Sequence, residues 1–227
     1  IIEFTSRLFD SLLLRNITID INHRNLVESF INQTFDSKDA QLVGDMLRAI
    51  DKIQKKSKQE ILDEFKDRYD INKLEKILEF SQIKGTISEV ESKFDTSKLQ
   101  SWDELKQLLD SLENRGIVNT RINFGIVRGL DYYSGMVFEV FDKNSTLGAL
   151  AGGGRYDSLT KAFGREEIGA TGVAGGVERI ILTMQEQGII PETKQIQISV
   201  LYINEEMQKV AMSITSLLRL NNIPTNV

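Results

Sequence analysis

Residues 128–133 read Arg-Gly-Leu-Asp-Tyr-Tyr and stand near the start of a glycine-rich region. Two related stretches follow, Gly152-Gly153-Gly154-Arg155-Tyr156-Asp157 and Gly172-Val173-Ala174-Gly175-Gly176-Val177-Glu178-Arg179. Each stretch pairs glycine, which lets a backbone approach a ligand closely, with arginine, whose planar donors suit phosphate or carboxylate. Together they favour an anionic ligand lying on a sheet, with tyrosines as flat walls for a ring-bearing partner.

Each stretch taken alone also fits an ordinary structural role. An Arg-Gly pair after a strand is typical of a turn with a solvated arginine, and three glycines are typical of a bulge. A strand-to-helix turn with an exposed arginine explains residues 172–179 as well. The sequence contains neither the glycine spacing of a dinucleotide fold nor that of a P-loop. Only the occurrence of all three stretches in this order favours a ligand site.

Composition is typical of a folded protein and excludes several chemistries. The 227 residues are 41% hydrophobic and 27% charged, which suits one or two domains. The absence of cysteine excludes disulfides and thiol nucleophiles, and the single histidine, His23, is best interpreted as a structural residue at a strand end. The net charge of −5 argues against a generally basic surface for nucleic acid. We expect a cytoplasmic protein without a membrane segment, since no apolar run approaches about 18 residues.

Hydrophobic periodicity predicts an alternation of helices and strands. Strand 17–21 is predicted to be half-buried, and the region 36–95 is predicted to be an all-helical module. Gly116 is predicted to end the helix that precedes it. The other predicted helices are 1–14, 102–115, 172–187 and 205–220, and the other predicted strands are 122–126, 136–141, 169–173 and 196–202.

The three glycine-rich stretches resemble a known family. Residues 128–133 resemble the signature peptide of histidyl-tRNA synthetases, and residues 152–159 resemble their second signature. Residues 172–182 resemble motif 3 of class II aminoacyl-tRNA synthetases, and residues 19–24 resemble the strand before the helical insertion of archaeal and eukaryotic-type members. The chain is thereby identified as a partial member of this family.

The resemblance implies an α+β fold, with a class II antiparallel sheet, flanking helices, a helical insertion and the start of an α/β anticodon-binding domain. It implies catalytic-domain segments at 1–35 and 101–190, the insertion at 36–100, and the anticodon domain from 195 to 227. Motifs 1 and 2 of the family precede the region that residue 1 matches, so we expect the chain alone to be unable to activate histidine. The complete protein is expected to be a homodimer.

The chemistry implied by the resemblance needs no protein nucleophile. The carboxylate of histidine attacks the α-phosphate of ATP, releasing pyrophosphate, and the activated acyl group then passes to the terminal ribose of tRNA(His). The catalyst gathers anions and stabilises charge at phosphorus, which suits arginines and Mg²⁺ bound through ATP rather than a metal site of the protein.

Carried over by position, Arg128 is the catalytic residue and contacts both the α-phosphate and the carboxylate of histidine. Arg179, with Gly175 beside it, is expected to bind ATP, helped by the N-terminus of its helix. The histidine pocket is expected to hold Arg128, Tyr132, Tyr133, Tyr156 and Gly153.

A cluster of lysines in the helical module gives a weaker prediction. Lys52, Lys55, Lys56 and Lys58 have no acid between them and are candidates for contact with the tRNA backbone. A solvated helix face is an equally good interpretation of the same residues.

Two other functions stay open at this point. The regulatory subunit of ATP phosphoribosyltransferase shares the synthetase fold without charging tRNA, although its branch tends to lose part of the peptide at 128–133. A free-standing paralogue of the catalytic domain is the second alternative. An unrelated α+β domain is disfavoured by three ordered motifs.

Overall fold

The computed structural model describes residues 1–53, 56–127, 133–165, 168–189 and 196–227. Three of the predicted site residues, Lys55, Arg128 and Tyr132, lie outside the described residues. The described chain forms two compact units, Ile1–Gln187 and Gly188–Val227.

The larger unit is a sheet surrounded by helices. Its strands are β1 Ile17–His23, β2 Lys84–Gly85, β3 Thr120–Asn123, β4 Met136–Asp142, β5 Ala151–Arg155 and β6 Thr171–Gly175. Its helices are α1 Ile2–Ser11, α2 Arg24–Phe35, α3 Ala40–Lys52, α4 Lys58–Phe65, α5 Ile71–Ser81, α6 Ile87–Lys93, α7 Trp102–Glu113, α8 Asp157–Ala162 and α9 Val177–Glu186. Within the described residues, no helix has the length and apolar character needed to cross a membrane.

The strands pair in the order β2-β3-β1-β4-β5-β6. Strands β1 and β3 run parallel, and every other neighbouring pair is antiparallel. This confirms the predicted α+β class with a mainly antiparallel sheet. The long β4 joins β1 to the glycine-rich β5 and β6, so it links the centre of the sheet to the region of the predicted site.

Strand β1 is buried on both faces, so the prediction of a half-buried strand is wrong. Ile19 and Ile21 are fully buried, but the intervening Asp20 and Asn22 are buried too, at 1% and 0% exposure. The reason is the turn after β3, which folds over β1: the Asn22 side-chain amide donates to the carbonyls of Phe124 and Ile126, at 3.3 and 3.0 Å. Alternation of polar residues here marks satisfied hydrogen bonds and not contact with water.

The other differences from the predicted elements are shifts at their ends. Strand β3 stops at Asn123, because the Asn123 side chain accepts a bond from the backbone N–H of Gly125 and starts a turn. Strand β6 continues to Gly175, which pairs with Ala151 of β5. Helix α7 ends as predicted before Gly116, whose φ of +79° favours glycine.

Stacked aromatic rings join the helical region to the sheet. The ring of Phe80 on α5 stacks on Phe30 of α2 and on Phe124 after β3, with centroids 4.0 and 4.5 Å apart. Strand β2, from the same helical region, pairs with β3. Residues 36–100 therefore share a core with the sheet, and their boundaries as a separate insertion stay a prediction.

The smaller unit is a strand-helix-strand segment. Strand β7 Ile198–Ser199 pairs in parallel with β8 Thr225–Asn226, and α10 Glu205–Leu220 connects them. The predicted helix 205–220 is confirmed, and the predicted strand 196–202 shortens to two residues. Assignment of this unit to an anticodon-binding domain stays a prediction.

His23 ends β1 and caps α2, as a structural residue would. Its Nδ1 accepts a hydrogen bond from the backbone N–H of Asn25 at 3.2 Å, so the ring proton lies on Nε2, 3.4 Å from a Glu104 carboxylate oxygen. The ring is only 3% exposed. Burial lowers the pKa of His23 below its ordinary value of 6.5, and the nearby Glu104 partly opposes that shift.

We predict that the protein loses stability on mild acidification through His23. Because the folded-state pKa lies below the unfolded value, the neutral ring contributes fully above pH 6.5, and this contribution is lost as the pH falls through the folded pKa. His23→Asn keeps a capping oxygen but removes the titration, so its free energy of unfolding should fall less between pH 7 and pH 5.

The measurement is urea unfolding at several pH values, with NMR titration of the ring proton signal of the single histidine. Equal pH dependence in the wild type and His23→Asn would contradict the prediction, as would a ring that titrates at or above pH 6.5.

Candidate active site

Cross-strand register places a distinct set of residues on one face of the sheet. Directly paired residues point to the same face, and alternate residues along a strand point to opposite faces. We call this the tyrosine face, for the two rings that lie on it. Its residues are Thr18, Asp20 and Asn22 of β1, Arg121 and Asn123 of β3, Val137, Glu139 and Phe141 of β4, Gly152 and Gly154 of β5, and Gly172 and Ala174 of β6.

Two of the predicted pocket residues, Tyr133 and Tyr156, are brought together on this face. Their ring centroids lie 6.3 Å apart in an edge-to-face arrangement, with an interplanar angle of 70°. Tyr133 is buried in a cluster with Ile126 and Val137, and Tyr156 packs against that cluster while staying partly accessible. One ring is thus fixed in the core and the other borders solvent, so a small planar ligand would lie against the accessible side of the pair.

Hydrogen bonds lock the backbone of Tyr156 in place. Its N–H donates to the carbonyl of Ala170 at 2.8 Å, and the Asp157 carboxylate accepts from the Ala170 N–H at 3.0 Å. The Asp157 N–H donates to the Ser134 hydroxyl at 2.9 Å, and the hydrogen bond from Arg155 lowers the pKa of Asp157. The segments before β4, after β5 and before β6 therefore meet around Tyr156.

The predicted binding glycines have different surroundings. A Cβ at Gly153 would point to the opposite face, where it would overlap the Gly172 carbonyl oxygen and lie 2.9 Å from Phe138. Close packing alone explains that glycine. At Gly175 a Cβ would meet the end of Ile180 at 3.3 Å and little else, so packing places a weaker demand on glycine there. The roles of both residues in ligand binding stay predictions.

Arg179 lies in the first turn of α9, at the end of β6. Its guanidinium is exposed and donates to the Ala149 carbonyl at 2.9 Å, which ties the helix to the loop between β4 and β5. The acceptor of this hydrogen bond is an uncharged carbonyl, so an anion that binds at the end of the sheet could replace it as the partner of Arg179. The ATP-binding role of Arg179 stays a prediction.

A buried carboxylate on the tyrosine face is missed by the sequence reasoning. Asp20 accepts from Arg121 through Nε at 2.5 Å and Nη2 at 3.1 Å, and from the Asn123 side-chain amide at 2.6 Å. A cavity of about 490 Å³ opens beside this group and is also lined by Lys84 and Lys143. The pairing of β1 with β3 brings together residues about 100 positions apart, and no local pattern indicates it.

The described lysines of the predicted tRNA contact all form ion pairs. Lys52 and Lys56 both bind Glu64, and these hydrogen bonds lower the pKa of that carboxyl. Lys58 contacts Glu75 at 3.2 Å and Glu79 at 3.3 Å, and the hydrogen bond that it donates to Glu75 raises the pKa of Lys58. Exposed pairs of this kind contribute about 0–1 kcal/mol, so phosphate could displace them, and RNA contact by these lysines stays a prediction.

The fold matches solved synthetase structures. A histidyl-tRNA synthetase from a Nostoc species superimposes with a TM-score of 0.73 at 23% identity, covering 97% of this chain and 54% of that one. A Bacillus halodurans protein described as an ATP phosphoribosyltransferase regulatory subunit/histidyl-tRNA synthetase gives a TM-score of 0.65 at 18% identity, covering 99% of this chain and 57% of that one. The architecture therefore places the chain in the class of proteins that have the aminoacyl-tRNA synthetase fold.

Sequence comparison narrows that class. The histidyl-tRNA synthetase family model matches residues 1–180, and the chain belongs to this family. The histidine–tRNA ligase of Pyrococcus furiosus is 36% identical over 223 residues, covering 94% of this chain and 51% of that protein. That of Pyrococcus horikoshii is 35% identical over 222 residues, with coverage of 94% and 51%. The chain thus spans about half the length of these relatives.

We predict that removing the Asp20 carboxylate destabilises the larger unit strongly. Asp20→Ala leaves the guanidinium of Arg121 and the amide of Asn123 without their shared acceptor. Because the Arg121 side chain is 36% exposed and can be hydrated, we expect a cost of about 1–3 kcal/mol. Asp10→Ala, on the exposed side of α1, should change the free energy of unfolding by less than about 0.5 kcal/mol. Chemical denaturation of both variants measures the difference, and a similar small loss in each would contradict the prediction.

Proposed function

We propose that this chain is the part of a histidine–tRNA ligase that carries the histidine pocket and one ATP-binding arginine. The complete protein would join histidine to ATP, forming histidyl-adenylate and pyrophosphate, and would then transfer the histidyl group to tRNA(His). This proposal depends on one observation: the family model matches residues 1–180, a range that includes Tyr133, Tyr156 and Arg179.

The two contacting tyrosine rings would form one wall of a pocket for a small aromatic ring. Imidazole is planar and carries nitrogen atoms that hydroxyl groups can bond, and the rings of Tyr133 and Tyr156 stand 6.3 Å apart at a steep angle. A site that hydrogen-bonds a polar ring rejects apolar analogues, because its own polar groups would be left unpaired. Tyr132 and Gly153 complete the proposed pocket.

The proposed chemistry relies on fixed positive charge. Arg128 would hold the carboxylate of histidine against the α-phosphate, and Arg179 would bind the far end of ATP beside Gly175. Because charge develops at phosphorus as the new bond forms, donors held in place before the reaction lower the barrier. Mg²⁺ would arrive bound to the triphosphate; among the described residues no group of three or more His, Cys, Asp or Glu side chains is suited to a metal ion.

Other parts of the proposal follow from the family. Residues 1–35 and 101–190 would form the catalytic domain, 36–100 the insertion, and 195–227 the start of the anticodon-binding domain. The complete protein would act as a homodimer of class II type in the cytoplasm.

A regulatory role is the second candidate. The Bacillus halodurans structure, whose title names an ATP phosphoribosyltransferase regulatory subunit as well as a synthetase, shares the fold of this chain at 18% identity. The intact Arg128–Tyr133 peptide disfavours that role.

Histidine-dependent exchange of pyrophosphate into ATP distinguishes the two roles. We expect exchange from the product of the complete reading frame, and a loss of about 100-fold or more in Arg128→Ala, because one donor to the developing charge is removed. The exchange activity should fall far more than the free energy of unfolding does. Arg7→Ala, at an exposed arginine of α1, is the control and should keep full exchange.

Near-normal adenylate formation in Arg128→Ala would remove that residue from the proposed site. A correctly folded wild type that shows no exchange would favour the regulatory role.

The lysine cluster is tested by the salt dependence of tRNA affinity. Replacing Lys52, Lys55, Lys56 and Lys58 with glutamine should flatten the plot of log affinity against log salt by about 0.9 for each phosphate that is no longer neutralised. A control with the same change of net charge replaces Lys66, Lys76, Lys93 and Lys98. Equal slopes in the two variants would favour a solvated helix face.

A further inference from the structure

Two glycines on the tyrosine face lie directly beneath the two tyrosines. Gly154 of β5 and Gly172 of β6 are register partners, so they sit side by side. A Cβ at Gly154 would lie 2.8 Å from two ring carbons of Tyr133 and 2.5 Å from the Met136 carbonyl oxygen. A Cβ at Gly172 would overlap the Tyr156 hydroxyl oxygen and lie 3.2 Å from Cζ.

Backbone conformation does not explain these glycines. Both lie in regular antiparallel pairing, and neither has the positive φ that favours glycine, which occurs elsewhere at Gly116 and Gly148. The space above the strands is therefore the constraint, and that space is taken by tyrosine side chains. At Gly172 the nearest atoms all belong to Tyr156, whereas at Gly154 a backbone oxygen is also close.

We propose that Gly172 and Gly154 are positioning residues that set the depth and spacing of Tyr156 and Tyr133, and thereby the selection of histidine. This inference rests on the proposed function of the tyrosine face. A Cβ at Gly172 would force the Tyr156 hydroxyl outward by about 1 Å, since nonbonded heavy atoms prefer separations of about 3.5 Å. Displacements of that size at a site cost up to about 100-fold in rate.

The geometry also says which variant is informative. At Gly153 and Gly154 an added methyl group would press on backbone oxygen atoms, so those variants would disturb the strands themselves. In Gly172→Ala the three atoms nearest to the added methyl group all belong to the far end of the Tyr156 side chain, which can move. The control is Gly44→Ala on α3, where the nearest atom to the added Cβ is a guanidinium nitrogen of Arg48 at 3.5 Å.

The first measurement needs no substrate. In the 227-residue chain with ¹³C-labelled tyrosine, Gly172→Ala should shift the ring signals of Tyr156. Gly44→Ala should leave them in place. Tyr156→Phe assigns the signals, and combining it with Gly172→Ala removes the overlapping hydroxyl, so the double variant should regain most of any melting temperature lost by Gly172→Ala.

The second measurement is pyrophosphate exchange by the product of the complete reading frame. Gly172→Ala should raise the KM for histidine by about tenfold or more and leave the KM for ATP within about twofold, because the tyrosine moves and the arginines do not. In the background of Tyr156→Phe, the same substitution should change the KM for histidine by less than about twofold.

The two measurements separate the two proposals. Unchanged Tyr156 signals with an unchanged KM for histidine in Gly172→Ala would overturn the positioning role. An equal rise of both KM values would also overturn it, because that pattern reports a general loss of structure. Shifted Tyr156 signals in Gly172→Ala, together with a wild-type protein that shows no histidine-dependent exchange, would support the steric contact and count against the proposed function alone.

Discussion

Burial of an aspartate in the middle of a sheet requires hydrogen-bond donors for its carboxylate. Asp20 on β1 is 1% exposed, and its partners Arg121 and Asn123 both come from β3, about 100 residues later in the chain. Any other register of β1 against β3 would leave a charge without partners in a region of low dielectric constant. The ion pair therefore specifies how β1 and β3, two segments about 100 residues apart in the larger unit, pair with each other, and it also fixes which face of each strand is polar.

The position of the tyrosines follows from that choice of face. Asp20 is the register partner of Glu139 on β4, and Val137 on the same face is the partner of Gly154. Because side chains alternate along every strand, fixing Asp20 toward one face places Gly154 and Gly172 on that face and Gly153 on the other. The tyrosine rings then lie where two glycines leave room for them. A one-residue slip of β4 or β5 would put Phe138 and Gly153 beneath the rings instead.

Structural features that depend on a local residue pattern can be predicted from the sequence, whereas features that depend on contacts between distant segments cannot. Helix α10 is predictable within its observed bounds because its amphipathic repeat is long. The rings of Tyr133 and Tyr156, which come from two of the family motifs, lie in contact, and their role in binding stays a prediction. Asp20, in contrast, looks locally like the polar half of an exposed alternation, because its partners Arg121 and Asn123 lie on β3, about 100 residues later in the chain. The triple glycine at 152–154 looks uniform, yet its second member faces Phe138 and its third faces Tyr133. Only the register of β5 against β4, a tertiary property, reveals that difference.

The ability of a surface cation to bind an anion also depends on which groups already contact it. The chain carries a net charge of −5, so binding of polyanions must be local, and the state of each cation decides where. Lys58 lies between Glu75 and Glu79, and an arriving phosphate would have to compete with two carboxylates and then be repelled by them. Arg179 is held by the neutral Ala149 carbonyl, and its helix N-terminus adds to the attraction for an anion. If a phosphate replaced the Ala149 carbonyl as the acceptor for Arg179, no displaced carboxylate would remain nearby to repel it. On electrostatic grounds, Arg179 at the end of β6 is therefore a better anion site than Lys58.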